Sequence, residues 1–161
     1  MDVALRRLSE QRRISVNVLT NQIIMAYLET NEVLSRLRWA ILPRSVFRKA
    51  LDVVTKEQVM EMGKLSGEAW KEISMLLYGS FELKEFIPLL DMRSKLLPSF
   101  EYSVKETGDN KLSVIVTHDL GPNGSIYWSE VVGSALTSMG ILRPTFDLTN
   151  STISFKLPAQ K

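Results

Sequence analysis

The chain contains no cysteine. Disulfides, thiolate nucleophiles and cysteine-held zinc or iron–sulfur centres are therefore excluded. It has a single histidine, His118, whereas a metal site needs two or three further ligands converging on the ion. No apolar run reaches the roughly 20 residues of a membrane-spanning helix, and no apolar core of a secretion signal follows the basic N-terminus. The expectation is a cytoplasmic protein with no membrane partner. A phosphate-binding glycine loop is also missing: Gly121-Pro122-Asn123-Gly124-Ser125 lacks both the lysine and the spacing. That segment reads as a plain loop, with Ser125 as N-cap of the helix behind it.

What remains is ordinary globular composition. The 161 residues are 45% hydrophobic and 24% charged. That fits one domain, or a small helical module followed by a compact one. The net charge of +2 hides an asymmetry. Residues 1–49 carry nine Lys or Arg against four Asp or Glu, and residues 50–161 carry eleven against fourteen. A basic excess confined to one region is what neutralising phosphates requires. Solvated helix faces produce the same count.

The basic region has a recognisable pattern. Residues 4–13 (ALRRLSEQRR) read as a short helix, with Leu5 and Leu8 three apart on one face. Ile14-Ser15 reads as a tight break. Residues 16–29 (VNVLTNQIIMAYLE) read as a second helix, whose apolar stripe is Val16, Leu19, Ile23, Ile24 and Tyr27. Ser15 stands at its N-cap, next to Arg12 and Arg13. A helix start with free N–H groups favours a phosphate. The stripe is too wide for the first helix alone to cover. Pairing with a second copy across a two-fold axis is the expectation.

This segment resembles the two helices of a ribbon-helix-helix DNA-binding domain. The likeness lies in the leucine spacing of Leu5 and Leu8, the Ser15-Val16-Asn17 turn and the closing Tyr27-Leu28 pair. The resemblance implies an intertwined homodimer on duplex DNA, with the second helix directing its N-terminus at phosphates. The residues it points to are Arg12, Arg13, Ser15 and Asn17, with Arg6 and Arg7 on the same basic segment. Members of that family read bases with a β-strand ahead of the first helix. Here only Met1, Asp2 and Val3 precede the helix, too few for that strand, so either the true start lies upstream or base readout is lost. Phosphate contacts alone position a protein on DNA without specifying sequence.

Residues 36–43 read as a junction ending at Pro43, which biases Leu42 away from helix. Val46, Phe47, Ala50, Leu51 and Val54 give a short amphipathic helix. Thr55 and Gln58 form a capping-box signature for a longer helix, to about Tyr78. Gly63 and Gly67 inside it have two readings: a face for a close-packed neighbour, or a break near Gly63. Residues 83–97 read as a further helix, kinked by Pro88 or starting later than its pattern. Met60, Met62, Met75 and Met92 in this region read as adaptable core filler.

The apolar period then changes to two. Phe100, Tyr102 and Val104, then Leu112, Val114 and Val116, flank a turn at Thr107-Gly108-Asp109-Asn110. Residues 125–139 read as a helix closed by Gly140. Phe146 and Leu148, then Ile153 and Phe155, flank Thr149-Asn150-Ser151 as a second hairpin. The fold expected is α+β. An N-terminal helical module (1–38) precedes a domain (43–161) of helices and a four-stranded antiparallel sheet in the order β-β-α-β-β. Phe100, Tyr102, Leu112, Val114, Phe146, Ile153 and Phe155 should be buried. In element order alone this domain is similar to small-molecule sensor domains, and no residue roles carry over from them.

No constellation of acid, base and nucleophile is visible. Asp119 follows His118 directly, so on an extended chain its side chain leaves on the opposite side, and a triad is not formed. His118 reads as structural, hydrogen-bonded within its loop. The expectation is a non-enzyme without a cofactor. Two functions fit: a dimeric DNA-associated regulator, or a small-ligand-sensing or protein-interaction module whose N-terminal helices serve only to dimerise.

Overall fold

The computed structural model describes residues 2–36, 42–96, 100–108 and 110–159, giving backbone alone for 28–36 and 96. The chain divides into two compact units, Met1–Ala40 and Ile41–Lys161.

The first unit is a helical hairpin of α1 (Asp2–Arg12) and α2 (Val16–Arg36). Helix α1 begins two residues earlier than its apolar pattern suggests, with Asp2 in its first turn paired to Arg6 at 3.0 Å. Helix α2 runs seven residues past Glu29, because no glycine or proline intervenes before Pro43. The expected junction at 36–43 lies largely outside the described residues.

The second unit contains α3 (Arg44–Val53), α4 (Lys56–Tyr78), α5 (Leu83–Leu96), β1 (Glu101–Thr107), β2 (Lys111–Thr117), α6 (Gly121–Ser138), β3 (Asp147–Leu148) and β4 (Thr152–Pro158). The expected α+β order of two strands, a helix and two strands is present. The sheet is antiparallel throughout, in the order β1-β2-β4-β3. Its register places Val104 opposite Val114, and Val114 opposite Phe155. Val114, Val116, Ile153, Phe155 and Leu157 are buried on one face. Ser103, Ile115 and Ser154 lie in register on the other. Phe100 is buried as expected, while Tyr102, Leu112 and Phe146 are only half-buried. Tyr102 lies on the edge strand β1 and Phe146 directly precedes the two-residue β3, whereas Leu112 sits near the start of the interior strand β2.

Helix α6 is the centre of this unit. Tyr127, Trp128, Val131, Val132, Ala135 and Leu136 are all buried, so the helix is enclosed nearly all round. It packs most closely with α4, and Gly63 and Gly67 make that approach possible. A Cβ at Gly63 would lie 2.5 Å from the Tyr127 carbonyl oxygen, and one at Gly67 would collide with the Val131 carbonyl oxygen. Helix α4 therefore runs unbroken, and the close-packing reading of the two glycines is the correct one. Thr55 and Gln58 form the reciprocal capping box, and Gly79 closes the helix at φ 72°.

Three local readings are corrected. Residues 121–124 are not a loop but the first turn of α6: Gly121 supplies φ 76°, and Pro122 stands in the first turn, where its missing N–H costs nothing. Ser125 therefore lies inside the helix and is no N-cap. Helix α5 starts at Leu83 and runs through Pro88, held by the buried Phe86, Leu89 and Leu90, which overturns the reading of a later start. Its start is fixed by Glu85, which accepts from the Glu82 N–H and the Ser80 hydroxyl, both at 2.8 Å. Of the methionines, Met92 is buried, but Met60 and Met75 are exposed and fill no core.

Candidate nucleic-acid interface

The turn between α1 and α2 presents the site residues. Helix α1 closes in a Schellman motif: Ile14 N–H donates to the Ser9 carbonyl and Arg13 N–H to the Glu10 carbonyl, each at 3.1 Å. The residue in the left-handed position of that motif is Arg13, at φ 54°. Glycine is the residue usually found there, because a Cβ costs about 1–2 kcal/mol in this conformation. Ser15 follows as N-cap of α2, its Oγ accepting from the Val18 N–H at 3.2 Å. The amides of Val16 and Asn17 are the remaining first-turn donors, with no carbonyl available within the helix.

Arg12, Arg13, Ser15 and Asn17 are all exposed, and they fall within six residues around this turn. The structure thus brings together the four residues expected at the start of α2. Arg6 and Arg7 are exposed too. They lie five to seven residues before Arg12 and Arg13, about 8–10 Å along the helix axis. The Arg6 guanidinium is engaged by Asp2, so it is the least available cation of the set.

The apolar stripe of α2 divides. Leu19 is fully buried and Val16 half-buried. Ile23, Ile24 and Tyr27 are 44%, 50% and 61% exposed, with Val18 and Met25 similarly open. By helix spacing Ile23, Ile24 and Tyr27 share one face, of the kind that marks an interaction surface, whereas Val18 and Met25 fall on the opposite side of α2.

His118 belongs to the second unit and plays a different part. It is buried at the end of β2. The Leu120 N–H donates to its Nδ1 at 3.2 Å, which leaves the proton of the neutral ring on Nε2. Nε2 faces the Ser125 Oγ at 3.0 Å, and the Ser125 hydroxyl donates onward to the Thr149 carbonyl. Burial pushes the imidazole pKa below its usual value, with Asp119 opposing. From Nε2 onward the protons run away from the ring, through Ser125 to the Thr149 carbonyl, the reverse of a serine activated by a histidine base. The arrangement ties β2, α6 and the β3–β4 turn together. Gly124 makes room for it, since a Cβ there would meet the imidazole at 3.1 Å. Sequence reasoning missed Ser125 as the partner of His118.

Asp119 contributes to another junction. Arg44 pairs with its carboxylate, Arg48 donates to its carbonyl, and Asn123 donates to the Leu51 carbonyl at 2.7 Å. These contacts dock α3 on the start of α6. Among the described residues no group of three or more His, Cys, Asp or Glu could hold a metal ion. Nor is any helix there long and apolar enough to cross a membrane. No family model, curated protein or solved structure matches this chain.

Proposed function

We propose that this chain is a DNA-associated regulatory protein of the cytoplasm: a non-catalytic homodimer, joined through its N-terminal helices and resting on duplex phosphates at the start of α2. The observation that carries the reading is the exposed cluster of Arg12, Arg13 and Asn17 around the Ser15-capped first turn. Two arginines, two unfilled backbone donors and the positive end of a helix make a phosphate cradle. The exposed face of Ile23, Ile24 and Tyr27 supplies the dimer contact.

Titrating labelled duplex at several salt concentrations tests it. Binding should be weak, nearly sequence-independent and steeply salt-dependent, with a log–log slope of about −0.9 per neutralised phosphate. Arg12→Ala with Arg13→Ala should flatten the slope by about two units without changing sequence preference. Absence of binding at about 50 mM salt, where counterion release favours it most, would remove the DNA reading.

One observation favours the second reading, a ligand-sensing or interaction module whose helices only dimerise. The exposed apolar residues Ile23, Ile24 and Tyr27 account for a dimer without any contact to phosphate. Dimerisation without any DNA affinity is the outcome that selects it.

A further inference from the structure

We propose that β1, the longer edge strand of the sheet, pairs antiparallel with β1 of a second copy of this chain across a two-fold axis at Ser103. The inference rests neither on the DNA reading nor on the N-terminal contact. The two edges of the sheet differ. At one, β3 is two residues long, too short to template another strand. At the other, β1 runs for seven residues and, among the described residues, pairs with β2 alone. Its register with β2 is continuous from Glu101–Thr117 to Thr107–Lys111. No bulge twists this edge away and no proline blunts it. Such an edge offers its outward backbone donors and acceptors to another strand.

The side chains select the strand that fits. Residues 101–105 read Glu-Tyr-Ser-Val-Lys, a run that complements itself when turned end for end. Pairing centred on Ser103 sets Glu101 of each copy opposite Lys105 of the other, Tyr102 opposite Val104, and Ser103 opposite Ser103. Glu101, Ser103 and Lys105 are exposed on the outer face, and Tyr102 and Val104 are half-buried on the core side. Residues directly opposed in an antiparallel pair share a face. The outer face therefore gains two ion pairs and a hydroxyl pair, and the core side gains two aromatic–β-branched pairs, all stabilising cross-strand partners. Neither Glu101 nor Lys105 enters an ion pair among the described residues. Other centres fit worse: Val104 sets Tyr102 against Glu106, and Lys105 sets lysine against lysine. An edge lysine ordinarily turns strands away. Here it admits the strand that carries a glutamate four residues earlier. The paired run is short beside the roughly 20–30 residues a side of a standard interface. Alone it is a weak contact, with a Kd of about 0.1–1 mM.

Because the chain has no cysteine, one introduced thiol reports the axis. Opposed Cα atoms in an antiparallel pair lie about 4.5–5.5 Å apart, within the span of a disulfide. The full chain carrying Ile23→Asp, which keeps the N-terminal face out of the measurement, is given Ser103→Cys. At about 0.5 mM in a glutathione redox mixture it should form a disulfide-linked dimer, read by electrophoresis without reductant. Ile115→Cys, exposed on the same face but one strand inward, should link at least about tenfold more slowly. Adding Lys105→Glu to Ser103→Cys turns both ion pairs into like-charge pairs and should slow linking about tenfold, as should Glu101→Lys. The two reversals together exchange the charges and should restore linking to within about twofold. That restoration also shows that the single reversals act on pairing and not on folding. Failure of Ser103→Cys to link would leave the edge for a foreign strand and overturn the proposal. Equal linking through Ile115→Cys, the sign of sheets stacked face to face or of random collision, would also overturn it. So would single reversals without effect, or a double reversal that does not recover.

Discussion

The two units of this chain solve the burial problem differently. In the second unit, an enclosed helix, a sheet face and two flanking helices bury Trp70, Phe86, Phe100, Val131 and Leu136 among one another. In the first, Leu19 is the one large hydrophobic that is fully buried among the described residues, while five others on α2 stay open. A two-helix hairpin has too little surface to enclose a core of its own. On the proposed reading the second unit should be stable alone, and the first should need a second copy to cover it. Substitutions in the core of the second should change stability. Substitutions in the first should change association.

The largest effect is expected at the α4–α6 contact. Gly67→Val puts two methyls and a Cβ into the Val131 backbone, where nothing flexible can yield. A loss of about 3 kcal/mol or more is expected, at the upper end for overpacking. Urea unfolding followed by circular dichroism measures it. Unchanged stability would mean that the two helices do not approach as described.

Ile23→Asp should act in the opposite manner. Ile23 is 44% exposed, so a charge there costs the single chain little. On a dimer interface it should abolish pairing. Light scattering at micromolar concentration should give about twice the 18.3 kDa chain mass for the parent and the single-chain mass for the variant. Equal masses would separate the exposed face from dimerisation.

The pH response belongs to the second unit and is smaller. The folded His118 pKa lies below its unfolded value. The unfolded chain therefore takes up the proton first as pH falls. The stabilisation is complete above the unfolded pKa of about 6.5 and is lost as pH drops toward the folded value, by at most about 1.4 kcal/mol per pH unit. Urea midpoints between pH 7.5 and 5 should decline in the parent. In His118→Asn they should start lower and decline less. A parallel decline in both would assign the pH dependence to other groups.

The smallest effect on stability, and the sharpest on the comparison, concerns Arg13. Relief of its left-handed strain should stabilise Arg13→Gly by a few tenths of a kcal/mol, after the extra freedom of the unfolded glycine is counted. The same change should reduce the salt slope of DNA binding by about one unit. Stability and binding moving in opposite directions would mark Arg13 as retained for contact. A variant that binds DNA like the parent would show that its side chain touches no phosphate.

The elements legible in the sequence were those whose signals are local. Thr55 and Gln58 announced the start of α4, and the alternation around residues 107–110 announced the first hairpin. Arg12, Arg13, Ser15 and Asn17 come together because they are neighbours in the chain. The failures were non-local, or turned on residues with two meanings. Gly121-Pro122 reads as a breaker, yet a positive φ followed by a proline in the first turn also starts a helix. Ser125 precedes an apolar run as an N-cap does, but its partners are His118 and the carbonyl of Thr149, 24 residues away. Arg93 in the last turn of α5 looks like an ordinary solvated cation. Only the convergence of α4, α5 and α6 buries it between two tryptophans.

The central claim is that the first unit works as a pair on DNA. Sedimentation of a labelled duplex of about 20 base pairs with the full chain, in low salt, tests both halves at once. The account predicts a complex containing two chains per duplex for the parent, and free duplex for Ile23→Asp. A duplex that sediments as free in the presence of micromolar parent, or that binds Ile23→Asp as a single chain with equal affinity, would contradict it.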